Sequence, residues 1–506
     1  MHTLVFIGVA ALASLEEAPL SPPPLLEAPV QDFVKGELSA FLGSDRVVTK
    51  NNRLGVSLGL DRVGEVYYAL LEPQVDLRFL EKRLAVGVGV PLRFEVFNFG
   101  RDESGQPLLS RRLGELRAQD YDEPQDFAKV LKYVTYGRKE DRLYLNVGQR
   151  YASSIGHGAL VRRYAPNVDV DLTRVSAQLD AYNDYAGFEL LTNDVVEWNL
   201  LSGLAFVKPL ASFGDGVVMR SLSLGIGAAA DFRAPRELLT DPNVGVRLLD
   251  EHGRMRATRT PVVLVGADVE VKMVKTREVD IKPYVDYSML LGGDGGFTLG
   301  GLGRFNVGEE TVHAFRAVLE LRWLGSRYVP SYFDTFYEVE RFVAADLPEA
   351  PAFPGIGRFA TKYQDVMSGR LPQRLGYYVE GSYGVRGKVG FTAAIEGTSG
   401  GPEKNFVVHL EVPAVDLLQF FGSYYKRGFS GLGEVGLLDE KSVFFAGARM
   451  KLLPFLFVNG RAFKTFRVNP DVQRYDNTFG FALDVEVGYE FDGAPPAAAP
   501  ALTEAS

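Results

Sequence analysis

The segment FGFALDVEVGYEF, residues 479–491, constrains this chain more than any other feature. Taken two residues at a time, it places Phe479, Phe481, Leu483, Val485, Val487, Tyr489 and Phe491 on one side. Gly480, Ala482, Asp484, Glu486, Gly488 and Glu490 fall on the other. Successive side chains of a strand point to opposite faces, so this strand has one wholly apolar face and one that carries three carboxylates among small residues. The scheme recurs along the chain. RLAVGVGVPLRFEV (83–96) sets Leu84, Val86, Val88, Val90, Leu92, Phe94 and Val96 against Arg83, Arg93, Glu95 and small residues. GADVEVKMV (266–274), VDIKPYVDYSM (279–289), HAFRAVLELRW (313–323), KVGFTAAIE (388–396) and VFFAGARMK (443–451) repeat it.

Alternation alone is common to any half-buried antiparallel sheet. Length and residue kind separate the options. Sandwich strands run to about 5–6 residues, whereas these stretches run 9 to 14. Their apolar faces are uninterrupted, with aromatics often near the strand ends, and the opposite faces mix both charge signs with Gly and Ala. A membrane-spanning barrel has this pattern: a lipid-facing apolar band, aromatic girdles and a polar interior. Closure then follows, because an open sheet edge in hydrocarbon would leave backbone groups unpaired at several kcal/mol each. The composition agrees, with 54 Gly, 34 Phe and 23 Tyr but only 2 Trp.

On these residues the chain resembles the bacterial outer-membrane β-barrel class, porin-like in pattern and without a family-specific motif. The resemblance spans residues 33–491 and implies an all-β fold, a large antiparallel transmembrane β-barrel of about 18–22 strands, in the outer membrane of a Gram-negative bacterium. Members of the class commonly end in a strand whose last residue is aromatic, the signal read by the outer-membrane assembly machinery. Phe491 fills that place, with 15 residues after it. The partners implied are outer-membrane lipid and lipopolysaccharide, the assembly machinery, and further copies of the chain, since porins are often trimeric.

The rest of the chain falls into place around the barrel. Leu4–Leu15 is an apolar run of 12 residues that contains a small-x-small pattern at Ala11-Leu12-Ala13, before Ser14, and reads as a signal peptide over 1–13. Residues 14–32 are a Pro-rich periplasmic linker, and 492–506 an Ala/Pro-rich tail read as disordered. Long loops are expected near 97–129, 229–260 and 341–373. The first holds a helix start before Pro124 and the third a short helix at 359–367. Each is read as an exposed loop first and as a lumen constriction second.

Several classes are disfavoured. Without Cys there are no disulfides or thiolate metal sites. With 55 basic and 64 acidic residues and no block of like charge, nucleic acid is not an expected partner. No cofactor or metal site is expected. Ser154 and His157 stand an odd number of positions apart and would point to opposite faces of a regular strand, with Gly156 and Gly158 marking a turn or bulge. His252 in DEHG reads as a polar turn, and His409 as a lumen-facing strand residue. The cluster Asp120, Asp122, Glu123 and Asp126 lacks the Gly and the spacing of a calcium loop. GGDGGFTLGGLG (292–303) has no GK[ST] ending and reads as a hairpin turn.

The candidate functional groups are therefore the charges on the polar faces: Asp76, Arg78, Arg83, Arg93, Glu95, Asp268, Glu270, Lys272, Asp280, Lys282, Asp286, Arg316, Glu320, Arg322, Asp484, Glu486 and Glu490. They read as a pore lining whose balanced signs give weak ion preference, or as cross-strand ladders that stiffen the wall. The leading expectation is a non-enzymatic, passive diffusion channel for small hydrophilic solutes. The second is a plugged barrel serving as an outer-membrane anchor or subunit of an envelope-spanning assembly. A carrier for hydrophobic ligands and an outer-membrane hydrolase rank below these.

Overall fold

The computed structural model describes residues 52–491 apart from 81–82, 101–105, 107–111, 123–126, 128, 138–140, 150–151, 242–246, 251–253, 277, 309–312, 344, 347–358, 386–388, 400–403, 413–417 and 470–473. The expected signal peptide, linker and tail, residues 33–51, the helix start at Pro124 and the His252 turn lie outside the described residues.

The wall is built from β1 (Asn52–Val63), β2 (Val66–Phe79), β3 (Leu84–Gly89), β4 (Leu92–Asn98), β5 (Leu131–Tyr136), β6 (Leu143–Gly148), β7 (Ser176–Tyr182) and β8 (Ala186–Thr192). It continues through β9 (Leu200–Val207), β10 (Ser223–Leu238), β11 (Ala257–Glu270), β12 (Val274–Lys275), β13 (Val279–Leu290), β14 (Gly295–Val307) and β15 (His313–Leu324). A two-residue pair, β16 (Ala345–Asp346) and β17 (Phe359–Ala360), stands apart from it. The wall then resumes with β18 (Arg374–Val385), β19 (Val389–Thr398), β20 (Asn405–Val412), β21 (Leu418–Lys426), β22 (Ser442–Leu453), β23 (Leu456–Asn469) and β24 (Arg474–Phe491). Short helices are α1 (Val217–Ser221), α2 (Tyr337–Glu340) and α3 (Lys362–Met367).

All wall pairings are antiparallel between chain neighbours, and β24 returns to pair with β1 from Asn52↔Phe491 to Val63↔Gly480. β3 and β4 both pair with β2, and β11 and β12 both with β13, so the 22 strand segments occupy the places of a closed 20-strand barrel. The count sits inside the expected range. The alternating stretch 83–96 is not one strand, however. Pro91 has no N–H to donate, the ladder breaks at Val90–Pro91, and Arg83 lies exposed in the turn before β3.

The faces follow the alternation. On β24, Phe479, Phe481, Leu483, Val485, Val487 and Tyr489 are exposed, while Asp484 and Glu486 are buried. On β1, Leu54, Val56, Leu58 and Leu60 point out, and Arg53, Ser57 and Asp61 point in. Both ends of the described wall lie at one rim, with short turns such as 182–186, 275–279 and 453–456 and the 207–223 connection that carries α1. Most long connections lie at the other: 98–131, 148–176, 238–257, 324–374 and 426–442. Glycines thin the wall where rings press on it. A Cβ on Gly480 would stand 1.9 Å from the Phe463 ring, and one on Gly300 2.2 Å from the Tyr284 ring.

Leu58, midway along β1 and beside Val485, tests which face meets lipid. Leu58→Arg should cost about 2–4 kcal/mol of unfolding free energy in lipid vesicles. Leu432→Arg, in a rim loop and 81% exposed, should stay within about 0.5 kcal/mol. Guanidinium titration of both variants measures the difference.

Candidate functional site: the occupied lumen

The lumen is filled by chain. Residues 152–175, between β6 and β7, do not stay at the rim; they fold into the barrel. Ala152, Val161, Tyr164, Ala165 and Val168 are completely buried. Ser153 bridges Tyr164 within the segment, Val161 bridges Phe333, and Asp169 bridges Phe466 on β23. A second segment, 325–343, enters beside it with α2, all four of whose residues are buried. Ile155, Leu160, Val161, Tyr164, Tyr328, Tyr332, Phe333 and Tyr337 from the two segments pack with wall residues Leu191, Leu200, Val262, Leu264, Leu290 and Leu324. The barrel thus holds an apolar core in its long-loop half. Tyr328 sits where the wall is thinned, with a Cβ on Gly296 2.5 Å from its ring, and its hydroxyl lies 2.5 Å from that of Ser288.

Charge ties both segments to the wall. Arg162 pairs with Glu320 on β15 at 2.7 Å, and Arg163 with Glu380 on β18. Arg174 pairs with Glu338 of α2 at 2.6 Å, and Arg341 with Asp231 on β10 at 3.2 Å. Tyr337 donates its hydroxyl to Asp231 at 2.7 Å. His157 stacks on Tyr284 with ring centres 3.7 Å apart and places Nε2 2.9 Å from Glu270. The third expected loop contributes α3, which starts one turn later than the sequence suggests because Thr361 caps it: its hydroxyl accepts from Gln364 N, and Gln364 reaches back to Thr361 N. Lys362 of α3 pairs with Glu340 of α2 at 3.0 Å. The first expected loop also bends inward. Asp120 accepts from Arg93 at 3.0 Å and Arg117 at 2.5 Å, with Lys129 3.5 Å away. Its carboxyl, ringed by these cations, is held well below the usual range. That carboxylate is held by protein cations.

The expected pore-lining charges sit in this setting as follows. Glu320 and Arg322 pair with each other at 2.6 Å and face Arg162. Arg316 pairs with Glu380. Lys272 pairs with Asp280 at 2.8 Å, and Lys282 with Glu270 at 2.7 Å. Arg93 also reaches Asp61 at 2.6 Å. Asp268 and Asp286 stand directly opposite on β11 and β13. Glu486 takes Arg53 and Arg449, Asp484 takes Asn459 at 2.7 Å, and Asp76 takes the Tyr133 hydroxyl at 2.6 Å. Glu95 and Glu490 are half-buried, and the Arg78 Nε is buried without a hydrogen-bond partner. Of the other groups singled out by sequence, Ser154 Oγ accepts from Arg163 N at 2.9 Å and His409 Nδ1 lies 2.6 Å from the Ser423 hydroxyl. Ser154 and His157 thus have different partners.

Sequence reasoning missed the main occupant. GALVRRYAPNVDV (158–170) was legible in one respect: it is too apolar for a solvated loop of that length, with Leu160, Val161, Tyr164, Val168 and Val170 outside any strand. The polar faces read from the sequence hold few aromatics, but the lumen does not: Tyr68, Tyr133, Tyr144, Tyr378, Tyr425 and Phe463 of the wall are buried, and the inserted segments add their own.

A closed barrel with an apolar belt outside and polar wall positions inside is an outer-membrane β-barrel, whose place is the outer membrane of a Gram-negative bacterium. No protein-family model matches the chain, and no curated protein matches it in sequence. Solved structures of similar shape include the ferric enterobactin receptor of Pseudomonas aeruginosa (8% identity, TM-score 0.32, covering 87% of this chain and 81% of that one). Another is Wzi, an outer-membrane protein involved in group 1 capsule assembly in Escherichia coli and a carbohydrate-binding β-barrel (10%, 0.31, 88% and 86%). A third is OccK11 of Pseudomonas aeruginosa (11%, 0.28, 87% and 95%). The likeness extends to the barrel.

Two outcomes follow for the inserted segment. Arg163→Ala leaves Glu380 buried with Arg316 alone, and loss of one hydrogen bond to a charged group costs about 1.5–3 kcal/mol; thermal unfolding in detergent should show that loss. Asp169, buried and beside Asp171, has its carboxyl pushed up to about 7, with Arg174 and Tyr475 also facing it. It keeps its proton in the folded protein at a pH where the unfolded chain has lost it. Its contribution to stability is therefore complete below about pH 4 and is lost as pH rises toward 7. Comparing unfolding midpoints of wild type and Asp169→Asn between pH 4 and 8 should show that slope in the wild type only.

Proposed function

We propose that this protein is a plugged outer-membrane barrel, a non-catalytic anchor or subunit of an envelope-spanning assembly, in preference to an open pore for passive diffusion. One observation carries the reading: residues 152–175 lie across the lumen, with Val161, Tyr164 and Val168 fully buried and Arg162 and Arg163 bound to Glu320 and Glu380 on the wall. Passive diffusion needs a continuous polar path, and the charges that would line it here are mostly engaged with one another or with the inserted chain. The apolar packing of this segment against 325–343 favours a fixed plug. A small anchor would need only a few strands; 20 strands around a filled lumen favour a large platform with long loops at one rim and short turns at the other.

Planar-bilayer recording from folded protein tests this. The wild type should give no stable large conductance steps, and replacement of residues 152–168 by a Gly/Ser linker of equal length should give them. Stable, weakly selective steps from the wild type would restore the diffusion-pore reading.

A further inference from the structure

Below the inserted segment, toward the short-turn rim, the lumen opens into a cavity of about 320 Å³. Its roof is Ser154–Gly158 with Arg162 and Arg163, and its walls come from β7 through β18. This volume lies at the lower end of the range for small-molecule sites. The chain carries a net charge of −9, yet seven Arg and Lys side chains face this cavity against four carboxylates. The excess is concentrated toward the mouth. Lys208, Lys272, Lys282, Arg304 and Arg316 come from the short-turn ends of neighbouring wall strands or the turns beside them.

Lys272 is answered by Asp280 at 2.8 Å, and other carboxylates at hand are shared. Arg304 and Arg316 are directly opposite each other on β14 and β15, an unfavourable arrangement for like charges. Glu380, the partner of Arg316, is shared with Arg163. Glu270 serves both Lys282 and His157. The Lys208 ammonium lies 5.8 Å from the Phe206 ring centre and joins no ion pair among the described residues. Farther in, Asp268 and Asp286 face each other, which sets the inner limit for any negative guest. Tyr182 and Phe206 line the same side as Lys208, 5.8 Å apart between ring centres, and offer an apolar edge.

We propose that this cavity is a binding site for a small organic anion, a sugar-sized molecule bearing a carboxylate or a phosphate, that enters from the short-turn rim. Its negative group sits among Lys208, Lys282 and Arg304 near the mouth, and its ring lies against Phe206 and Tyr182. Short turns face the periplasm in this class of barrel, so the ligand is a periplasmic one. Burial holds the Lys208 ammonium below its ordinary value, and a bound anion would relieve that cost. The roof belongs to the inserted segment, while the groups that take the anion, Lys208, Lys282 and Arg304, belong to the wall and the turns beside it.

Isothermal titration of the detergent-solubilised full chain with glucuronate, glucose 6-phosphate and glucose tests the proposal at low ionic strength. The two anions should bind and glucose should not, and the ratio of the two affinities tells carboxylate from phosphate recognition. Lys208→Gln and Arg304→Gln should each weaken binding about tenfold, the worth of one hydrogen bond to a charged group. Lys208 is partly exposed, so its variant will fold. Binding of glucose as tight as that of the anions, absence of binding by all three, or anion binding unmoved in both variants would overturn the proposal. A conducting wild type that still binds the anions would sink the plugged reading alone.

Discussion

Everything in this structure depends on the pairing of the last strand with the first. β24 meets β1 over twelve residues, and without that ladder two long edges would stand in hydrocarbon with no water to satisfy them. Side chains on the inner face reinforce the seam. Arg53, wholly buried on β1, lies between Glu486 of β24 and Asp76 of β2. Glu486 also takes Arg449 from β22, and Lys132 of β5 pairs with Glu72 of β2. The carboxylates that mark the inner face of 479–491 are thus fasteners of the closure, each buried charge answered by a neighbour's cation as burial requires.

Closure fixes the second problem, which is what to do with the space inside. A 20-strand wall encloses far more volume than its own side chains fill, and here the long-loop rim supplies the filling. The inserted chain meets two kinds of wall. Toward the rim it meets Leu191, Leu200, Val262, Leu264 and Leu290, and presents Val161, Tyr332 and Phe333. Toward the middle it meets Glu320 and Glu380, and presents Arg162 and Arg163. Two adjacent arginines and two glutamates on neighbouring wall strands set the segment's height in the barrel. The glycines of β14 complete the fit, since Gly296 and Gly300 leave room for Tyr328 and Tyr284.

The barrel was legible in the sequence because a period of two, sustained over strands such as 313–323 and 479–491, has few other solutions. Polar-face residues there are inward as expected. What escaped was everything without a period. Residues 152–175 form no wall strand, so their apolar side chains left no pattern, and Arg162-Arg163 looked like loop charge until Glu320 and Glu380 were brought beside them. Pro91 broke a run that alternation alone would join. β10 continues to Leu238 with irregular register after Asp231, where mixed charge had suggested a loop from 229. Partners more than 150 residues apart, such as Arg162 and Glu320, are set by topology, which local sequence does not encode.

The energetics of the insertion also bear on whether the plug could be a door. An ion pair in the lumen is not in itself a strong source of stability, because desolvation of both charges offsets most of their attraction. Its loss on one side is costly, and that asymmetry makes partial opening unfavourable: withdrawing Arg163 alone would leave the buried Glu380 with Arg316 only, and withdrawing Arg174 would leave Glu338 with Arg341 only. The segment would have to leave as a whole, exposing its face of the apolar core and uncovering Tyr332, Phe333 and Tyr337 at the same time. Movement on that scale amounts to unfolding of the barrel's interior. On the plugged reading proposed above, the lumen charges that suggested a permeation path are what would hold it shut.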